Sequence, residues 1–245
     1  MEVALVTVGD ELLAGDTVNT NATWLATQLH DRGVTVTRVL TVPDDRDAIA
    51  ENVRTYSDAF DAVIVTGGLG GTPDDITMDA VAAAFDRELA VDDLALADVE
   101  ETLEAIADTY PDLSVDPEAE ATLPAGGRPL LNRAGLSPGC VVENVYVLPG
   151  IPDEMQSMFE SVADEFEGDT MAEFLYTPQP EANLIEPLTD VGMKFDVSVG
   201  CYPDRDENHN RLKVSGEDRD QIDGALDWLR DRLDVYDDPE DATRE

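Results

Sequence analysis

The feature that most restricts the fold is an alternation within the first 66 residues: three short β-type runs with one helix-length amphipathic stretch between each pair. Val3 to Val8 is almost unbroken apolar sequence stopped by Gly9, the pattern of a strand covered on both faces. Asn19 to Arg32 sets Ala22, Leu25, Ala26 and Leu29 on one helical face, with Asn19 or Thr20 able to cap it and Gly33 ending it. Val34 to Val42 alternates β-branched residues, Asp44 can cap a helix running to about Tyr56, and Ala62 to Thr66 reads as a third strand. A β-α-β-α-β order of this kind predicts an α/β fold with a mostly parallel sheet and helices on both faces, in three layers.

Further along, Leu94 to Tyr110 reads as a helix, residues 111–127 as an irregular acidic excursion, and residues 131–139 as a loop bounded by glycine and proline. Residues 145–150 form a further strand ending in a turn, and Pro152 to Glu165 a helix whose Met155, Met158, Phe159 and Val162 face the core. The pattern loosens between Glu167 and Pro180, which sets a first domain at 1–167. A small α/β module follows at 168–235, with a helix-like PEANLIEPL, strands KFDVSVG and RLKVSG, and a helix from Asp218 to Leu233. Residues 236–245 are expected to be a disordered acidic tail. At 245 residues and 42% hydrophobic content the chain is long enough to bury such cores.

Fifteen basic residues stand against 55 acidic ones, a formal charge of −40, and lysine occurs only at Lys194 and Lys213. The acidic residues are spread through every segment, the pattern of a halophilic surface kept in molar salt, where the screening length is about 3 Å. A basic partner is the alternative explanation. Either way the chain lacks the cationic stripe that a nucleic-acid binder requires. Cys140 and Cys201 lie far apart and form no CxxC pair, so both are expected to be small buried residues; His30 and His209 are expected at the solvated surface. The chain opens directly on a strand pattern, with no leader or membrane span, so a cytoplasmic protein is expected.

Chemistry concentrates in TGGLGGTPDDIT at residues 66–77, where Gly67, Gly68, Gly70 and Gly71 occupy four of five positions. This segment leaves the carboxyl end of a predicted strand and enters a helix near Ile76, the edge at which open α/β sheets bind ligands. Glycine backbone N–H groups at a helix start form an anion cradle, most naturally for phosphate. Neither GxxxxGK[ST] nor a correctly spaced GxGxxG is present, which disfavours kinase-like and dinucleotide-dehydrogenase chemistry. Asp74 and Asp75 beside such a cradle would repel a phosphate unless a divalent cation bridges them. Asp-Asp pairs also begin at 44, 92 and 237, so position rather than pairing singles out Asp74 and Asp75. Asp44 and the Asp10-Glu11 pair fall at neighbouring strand ends on the same edge and can complete a metal and water-activating cluster.

Five segments together resemble a known family: VGDELLAGDTVNTNATWLATQL (8–29), TVPDD (41–45), TGGLGGTPDDIT (66–77), NRAGLSPG (132–139) and LPGIPDEMQSMF (148–159). In this order they resemble the molybdopterin-binding fold of molybdenum-cofactor biosynthesis proteins, and most closely the N-terminal domain of the CinA (competence/damage-inducible) family. The second module looks like the KH-like module of that family but lacks the GxxG clamp of RNA-binding KH domains, so no nucleic-acid partner is implied. Full-length relatives carry a further domain with amide hydrolase activity on nicotinamide mononucleotide; the resemblance does not extend to it. Gly71 stands where relatives usually have proline.

The resemblance implies a metal-dependent pyrophosphatase that cleaves ADP-ribose or a related nucleotide diphosphate to AMP and a sugar phosphate. On that reading the glycine N–H groups and Thr72 hold the phosphates, and Asp75 and Asp44, with Asp74 beside them, hold Mg²⁺, Mn²⁺ or Co²⁺. Glu11 orients or deprotonates water, while Asn19 and Asn21 reach ribose or base, although as helix caps they have an equally good structural role. Thr77, Ser137 and Gly139 in the same motifs complete the expected ligand contacts. The competing expectation is a pterin phosphate, with the chain binding or transferring molybdopterin or its adenylylated form; a non-catalytic nucleotide-binding module is the third. The family resemblance also implies a homo-oligomer, dimer or trimer.

Overall fold

The computed structural model describes residues 1–242, which fall into two compact units, Met1–Gly168 and the residues from Asp169 onward. The first unit begins β1 (Glu2–Val8), α1 (Asp10–Ala14), α2 (Thr20–Asp31), β2 (Thr35–Val42), α3 (Arg46–Ala59), β3 (Ala62–Thr66) and α4 (Thr77–Ala84). It continues with β4 (Leu89–Val91), α5 (Asp93–Ile106), α6 (Pro117–Glu120), β5 (Thr122–Pro124), β6 (Arg128–Leu130), β7 (Gly139–Val142), β8 (Val145–Leu148) and α7 (Pro152–Glu160).

The main sheet has the order β2-β1-β3-β8-β7-β6. β1 runs parallel to β2 and β3, and β3 parallel to β8, while β7 and β6 add antiparallel strands at one side. Side chains alternate across a strand, and β1 divides accordingly. Val6 and Val8 join Val63, Val65 and Val147 under Ile49 and Val53 of α3 and Ala80, Val81 and Ala84 of α4. Val3 and Leu5 join Ile64 and Leu148 on the other face, under Ala22, Leu25 and Leu29 of α2 and Met155, Met158 and Phe159 of α7. The expected mostly parallel sheet between two helical layers is therefore present. The parallel register carries the carboxyl ends of β2, β1, β3 and β8 to one edge, where Gly9 N–H donates to Val42 O (3.1 Å) and Gly67 N–H to Leu148 O (3.1 Å).

Residues 111–127 are more regular than the sequence pattern suggests. Asp116 accepts from the N–H groups of Glu118 and Ala119, Pro117 opens α6, and β5 pairs antiparallel with β4. These elements are too short to show a period, which is why they read as loop.

The second unit contains β9 (Met171–Thr177), α8 (Ile185–Lys194), β10 (Ser198–Asp204), β11 (His209–Gly216), α9 (Arg219–Arg230) and α10 (Pro239–Ala242), with the antiparallel order β10-β11-β9. Ile222, Ala225, Leu226 and Leu229 line the inner side of α9 at helical spacing and pack with Leu175, Leu212 and Val214. β9 occupies the stretch where the sequence pattern loosened, because only Leu175 and Thr177 of this strand are buried. β10 begins four residues later than the expected KFDVSVG strand, paired from Ser198↔Ser215 to Asp204↔His209.

Two further expectations are corrected. Residues 236–242 are not an unstructured tail: Tyr236 pairs with Tyr176 and α10 buries Ala242, while the remainder of the expected tail, 243–245, lies outside the described residues. His209 is 7% exposed rather than solvated, because it begins β11 and stacks edge-on against Tyr176. Cys140 is buried, with its thiol pushed up to about 12 by desolvation, while Cys201 is only partly buried.

Candidate functional site

The site is built from what each strand end does next. After β2, the two aspartates separate in role. Asp45 caps α3 by accepting from Ala48 N–H (2.8 Å), whereas Asp44 reaches across the sheet edge to accept from Asp10 N–H through Oδ2 (2.8 Å). The cap expected of Asp44 is thus supplied by its neighbour. After β1, Gly9 leads into α1, a five-residue turn of helix too short to read from periodicity, and Glu11 stands in it.

After β3, Gly67 and Gly68 take φ values of 101° and 67°, the left-handed region that favours glycine. A Cβ at Gly68 would strike the Thr77 hydroxyl, and one at Gly67 the carbonyl of Val8. Thr77, fully buried at the start of α4, ties the loop from beneath: its N–H donates to Gly68 O (3.1 Å) and its hydroxyl to Gly67 O (2.8 Å). Farther on, Thr72 N–H donates to Asp75 Oδ2 (2.9 Å), and the Thr72 hydroxyl lies 2.6 Å from Asp74 Oδ1 and 2.7 Å from Asp75 Oδ2. The Thr72 hydroxyl holds the Asp74 carboxyl below its ordinary value of 3.8.

The opposite wall comes from α2, from the turn after β8 and from the loop before β7. Asn19 is committed at both ends of its amide: Oδ1 accepts from Ala22 N–H (3.1 Å) and Nδ2 donates to Thr7 Oγ1 (3.0 Å). Asn21 donates from Nδ2 to Gly150 O (2.7 Å). Asn132, 2% exposed, anchors the 132–139 loop by donating to Ser137 O (3.0 Å) and to Glu154 Oε2 (2.7 Å), and Ser137 donates its hydroxyl to Glu120 (2.7 Å).

These walls enclose a cleft of about 570 Å³ at the carboxyl edge of the sheet. Glu11, Asp44, Asp74, Asp75 and Glu154 all line it, and among the described residues no lysine or arginine does. An anionic ligand entering alone would meet five carboxylates and no compensating side-chain cation. Asp44 and Asp75 each use Oδ2 on a backbone N–H, and among the described residues no group of three or more His, Cys, Asp or Glu side chains converges to hold a metal unaided. This donor set suits a hard divalent cation held by one or two carboxylates and completed by ligand oxygens.

Of the sequence-derived residues, the fold brings Glu11, Asp44, Asp74, Asp75, Gly67, Gly68, Gly70, Asn19, Asn21 and Ser137 to this one cleft. Gly71 and Thr72 line a second, smaller cleft of about 260 Å³ on the far side of the loop, and Thr72 is already committed to the two aspartates. Thr77 is a support beneath the loop rather than a ligand contact. Gly139 is buried in β7, where a Cβ would strike Val147 O and Met158, so its place is a packing requirement. Sequence reasoning passed over Glu154 and Gly150. Both lie in the LPGIPDE segment, and their adjacency to the glycine loop follows only from the pairing of β8 with β3.

Residues 4–167 match the family described as "Probable molybdopterin binding domain", and residues 169–237 match "FAD synthase, middle domain". A protein of Archaeoglobus fulgidus is 35% identical over 238 residues, covering 95% of this chain and 98% of its own length. A CinA-like protein of Citrifermentans bemidjiense is 36% identical over 250 residues, covering 96% of this chain, and this chain spans 59% of that protein. Among solved structures, the protein CinA with unknown function from Thermoplasma acidophilum superimposes with a TM-score of 0.60 at 33% identity, over 68% of this chain and 99% of that one.

Proposed function

The chain belongs to the molybdopterin-binding domain family that includes the CinA-like proteins, and from that premise we propose that its cleft is the active site of a metal-dependent hydrolase of nucleotide diphosphates such as ADP-ribose. The observation that carries this reading is the cleft's lining: a glycine cradle surrounded by carboxylates, with no cationic side chain among the described residues. A site built to hold a phosphate by charge alone would present arginine or lysine.

Asp75 and Asp44, with Asp74 alongside, are the residues that would hold Mg²⁺, Mn²⁺ or Co²⁺ together with the diphosphate oxygens. When bound, such an ion neutralises charge on the diphosphate and lowers the pKa of a coordinated water. The chain's own contributions are separate. Gly67, Gly68 and Gly70 present their backbone to the cleft, against which the diphosphate would lie, while Val8 O, the Thr77 hydroxyl and the Asp75 carboxylate fill the places where Cβ atoms would stand. Glu11 accepts the proton of the attacking water as the water oxygen bonds to phosphorus. The bridging P–O bond then breaks, releasing AMP and a sugar phosphate. The match of the second unit to a FAD synthase middle domain adds FAD, also a diphosphate-linked dinucleotide, to the substrate class.

The second reading, binding or transfer of molybdopterin or its adenylylated form, is supported by the description of the family matched by residues 4–167. The same backbone cradle suits a pterin phosphate.

The deciding experiment offers ADP-ribose, NAD, FAD and other nucleotide diphosphates to the purified protein in molar KCl with each metal, reading AMP by chromatography. Asp75→Asn is the informative variant, since its amide oxygen still accepts from Thr72 N–H while the charge is gone. Metal-dependent AMP release reduced at least about 100-fold by the substitution is the expected result. No AMP from any substrate, with tight binding of a pterin phosphate, moves the assignment to the cofactor reading. No turnover and no binding leaves a module without the proposed chemistry.

A further inference from the structure

The second unit presents a sheet face on which rings and cations are mixed. Residues opposite one another in an antiparallel pair share a side of the sheet, and successive residues alternate between sides. Leu175, Leu212 and Val214 belong to the core. Phe174 and Tyr176 on β9, Arg211 and Lys213 on β11, and Gly200 and Tyr202 on β10 therefore share the other face. The register sets Arg211 between Tyr176 and Tyr202, and Lys213 between Phe174 and Gly200. The Arg211 guanidinium lies over two of these rings, 5.4 Å from the centre of Phe174 and 5.6 Å from that of Tyr202. Phe174 and Tyr202 nonetheless remain 36% and 49% exposed. A Cβ on Gly200 would stand 2.8 Å from the Tyr202 ring, so the bare backbone there is what lets this ring lie along the strand.

Charge sets this face apart. Carboxylates outnumber cations 55 to 15 in the chain, yet among the described residues neither Arg211 nor Lys213 forms an ion pair. Asp204, one pair farther along this face, gives its Oδ1 to the N–H groups of Asp206 (3.1 Å) and Glu207 (3.0 Å). The Lys213 ammonium is held below its ordinary value of 10.5 by burial first and by the Arg211 charge second. An anion seated between the two cations would relieve that repulsion. Stacking occupies the flat sides of a guanidinium and leaves its N–H edge for such an anion, with phosphate a close geometric match. The rings beside it supply a surface on which another ring can stack. Where the screening length is about 3 Å, the net charge of −40 no longer repels an anion at a distance, and the donors in contact with it decide.

We propose that the outer face of the β10-β11-β9 sheet binds a planar heteroaromatic ring that carries a phosphate, the ring stacked on Tyr202 and the phosphate held by Arg211 and Lys213. The proposal stands apart from the hydrolase reading, since none of these residues lines the cleft. A nucleoside monophosphate and flavin mononucleotide both have this chemistry.

The test titrates the nitrogen-15-labelled protein in molar KCl with AMP, flavin mononucleotide, adenosine, riboflavin, inorganic phosphate and a single-stranded oligonucleotide. Backbone amide shifts then report affinity and location together, and EDTA withholds the divalent metal that the cleft reading requires. AMP or flavin mononucleotide should move the amides of residues 200–202 and 211–213. It should bind about tenfold more tightly than its unphosphorylated partner and than phosphate, and the tighter of the two identifies the ring. Arg211→Gln should remove most of the gap between the phosphorylated and unphosphorylated ligands, and Tyr202→Ala should weaken both about tenfold. No shift on this face overturns the proposal, as do shifts confined to residues 67–70, which would assign the binding to the cleft. Phosphate alone binding as tightly as the nucleotide, or the unphosphorylated ring doing so, overturns it equally. An oligonucleotide that binds far more tightly than either monomer would make the face a nucleic-acid surface, and shifts that follow protein concentration alone would make it a contact between copies; each sinks the proposal. The wild-type comparison stands without either variant.

Discussion

At the scale of single residues, one hydroxyl proton stands between two carboxylates. Thr72 can donate to Asp74 or to Asp75 but not to both at once, and this hydroxyl is the main cause of the lowered Asp74 pKa, ahead of a backbone hydrogen bond and against a small desolvation effect. A carboxyl depressed in the folded state adds stability above its ordinary value of 3.8, and that contribution is lost as pH falls through the lower folded value. Thr72→Val should move the Asp74 titration up toward 3.8, as read by carbon-13 NMR of the carboxyl carbon. An unchanged titration would mean that the backbone, not the hydroxyl, sets it. The loop's other fixed point, Thr77, acts by geometry instead of charge, since its side chain and N–H hold the two left-handed glycines in place.

At the scale of elements, α2 contributes to fold and cleft from the same turn. Asn19 caps the helix and ties it to β1 through Thr7, so Asn19→Ala should cost about 1 kcal/mol in denaturant unfolding of the first unit. A larger loss would show that the Thr7 contact matters more than the cap. The strands and helices that place the cleft were legible because each is an unbroken apolar run or a full amphipathic face with a clear stop: Val3 to Val8 before Gly9, Ala62 to Thr66 before the glycines, Leu25 and Leu29 on one face. α1, α6 and β5 were not, because three to five residues carry no period. β9 was missed for a different reason: only two of its seven residues are buried, and its place is set by pairing with β11 far along the chain. In the site, Asp44, Glu11 and Asp75 could be chosen by their position at strand ends. Glu154 could not, since its place in the cleft depends on which loop lies against which. Thr77 and Gly139 were expected as ligand contacts because they stand in the motifs that carry the family resemblance, whereas in the structure both are buried and packed.

At the scale of the whole molecule, the charge of −40 means that folding concentrates like charges. Added salt should therefore stabilise: the Tm is expected to rise as KCl goes from about 0.1 to 2 M, over which the screening length falls from about 10 Å to under 3 Å. A Tm independent of salt would show that the acidic surface is not self-repelling in the native state. The parallel run of β2, β1, β3 and β8 has its own consequence. Parallel neighbours cannot close as hairpins, so each added strand needs a complete crossover first, and contacts distant in sequence form late. The cleft borrows residues from the ends of all four, so no half-built intermediate holds a working fraction of it. Recognition and completion of the fold become a single event, and a ligand at one hundred times its Kd would draw the first unit toward the native state by about 2.7 kcal/mol.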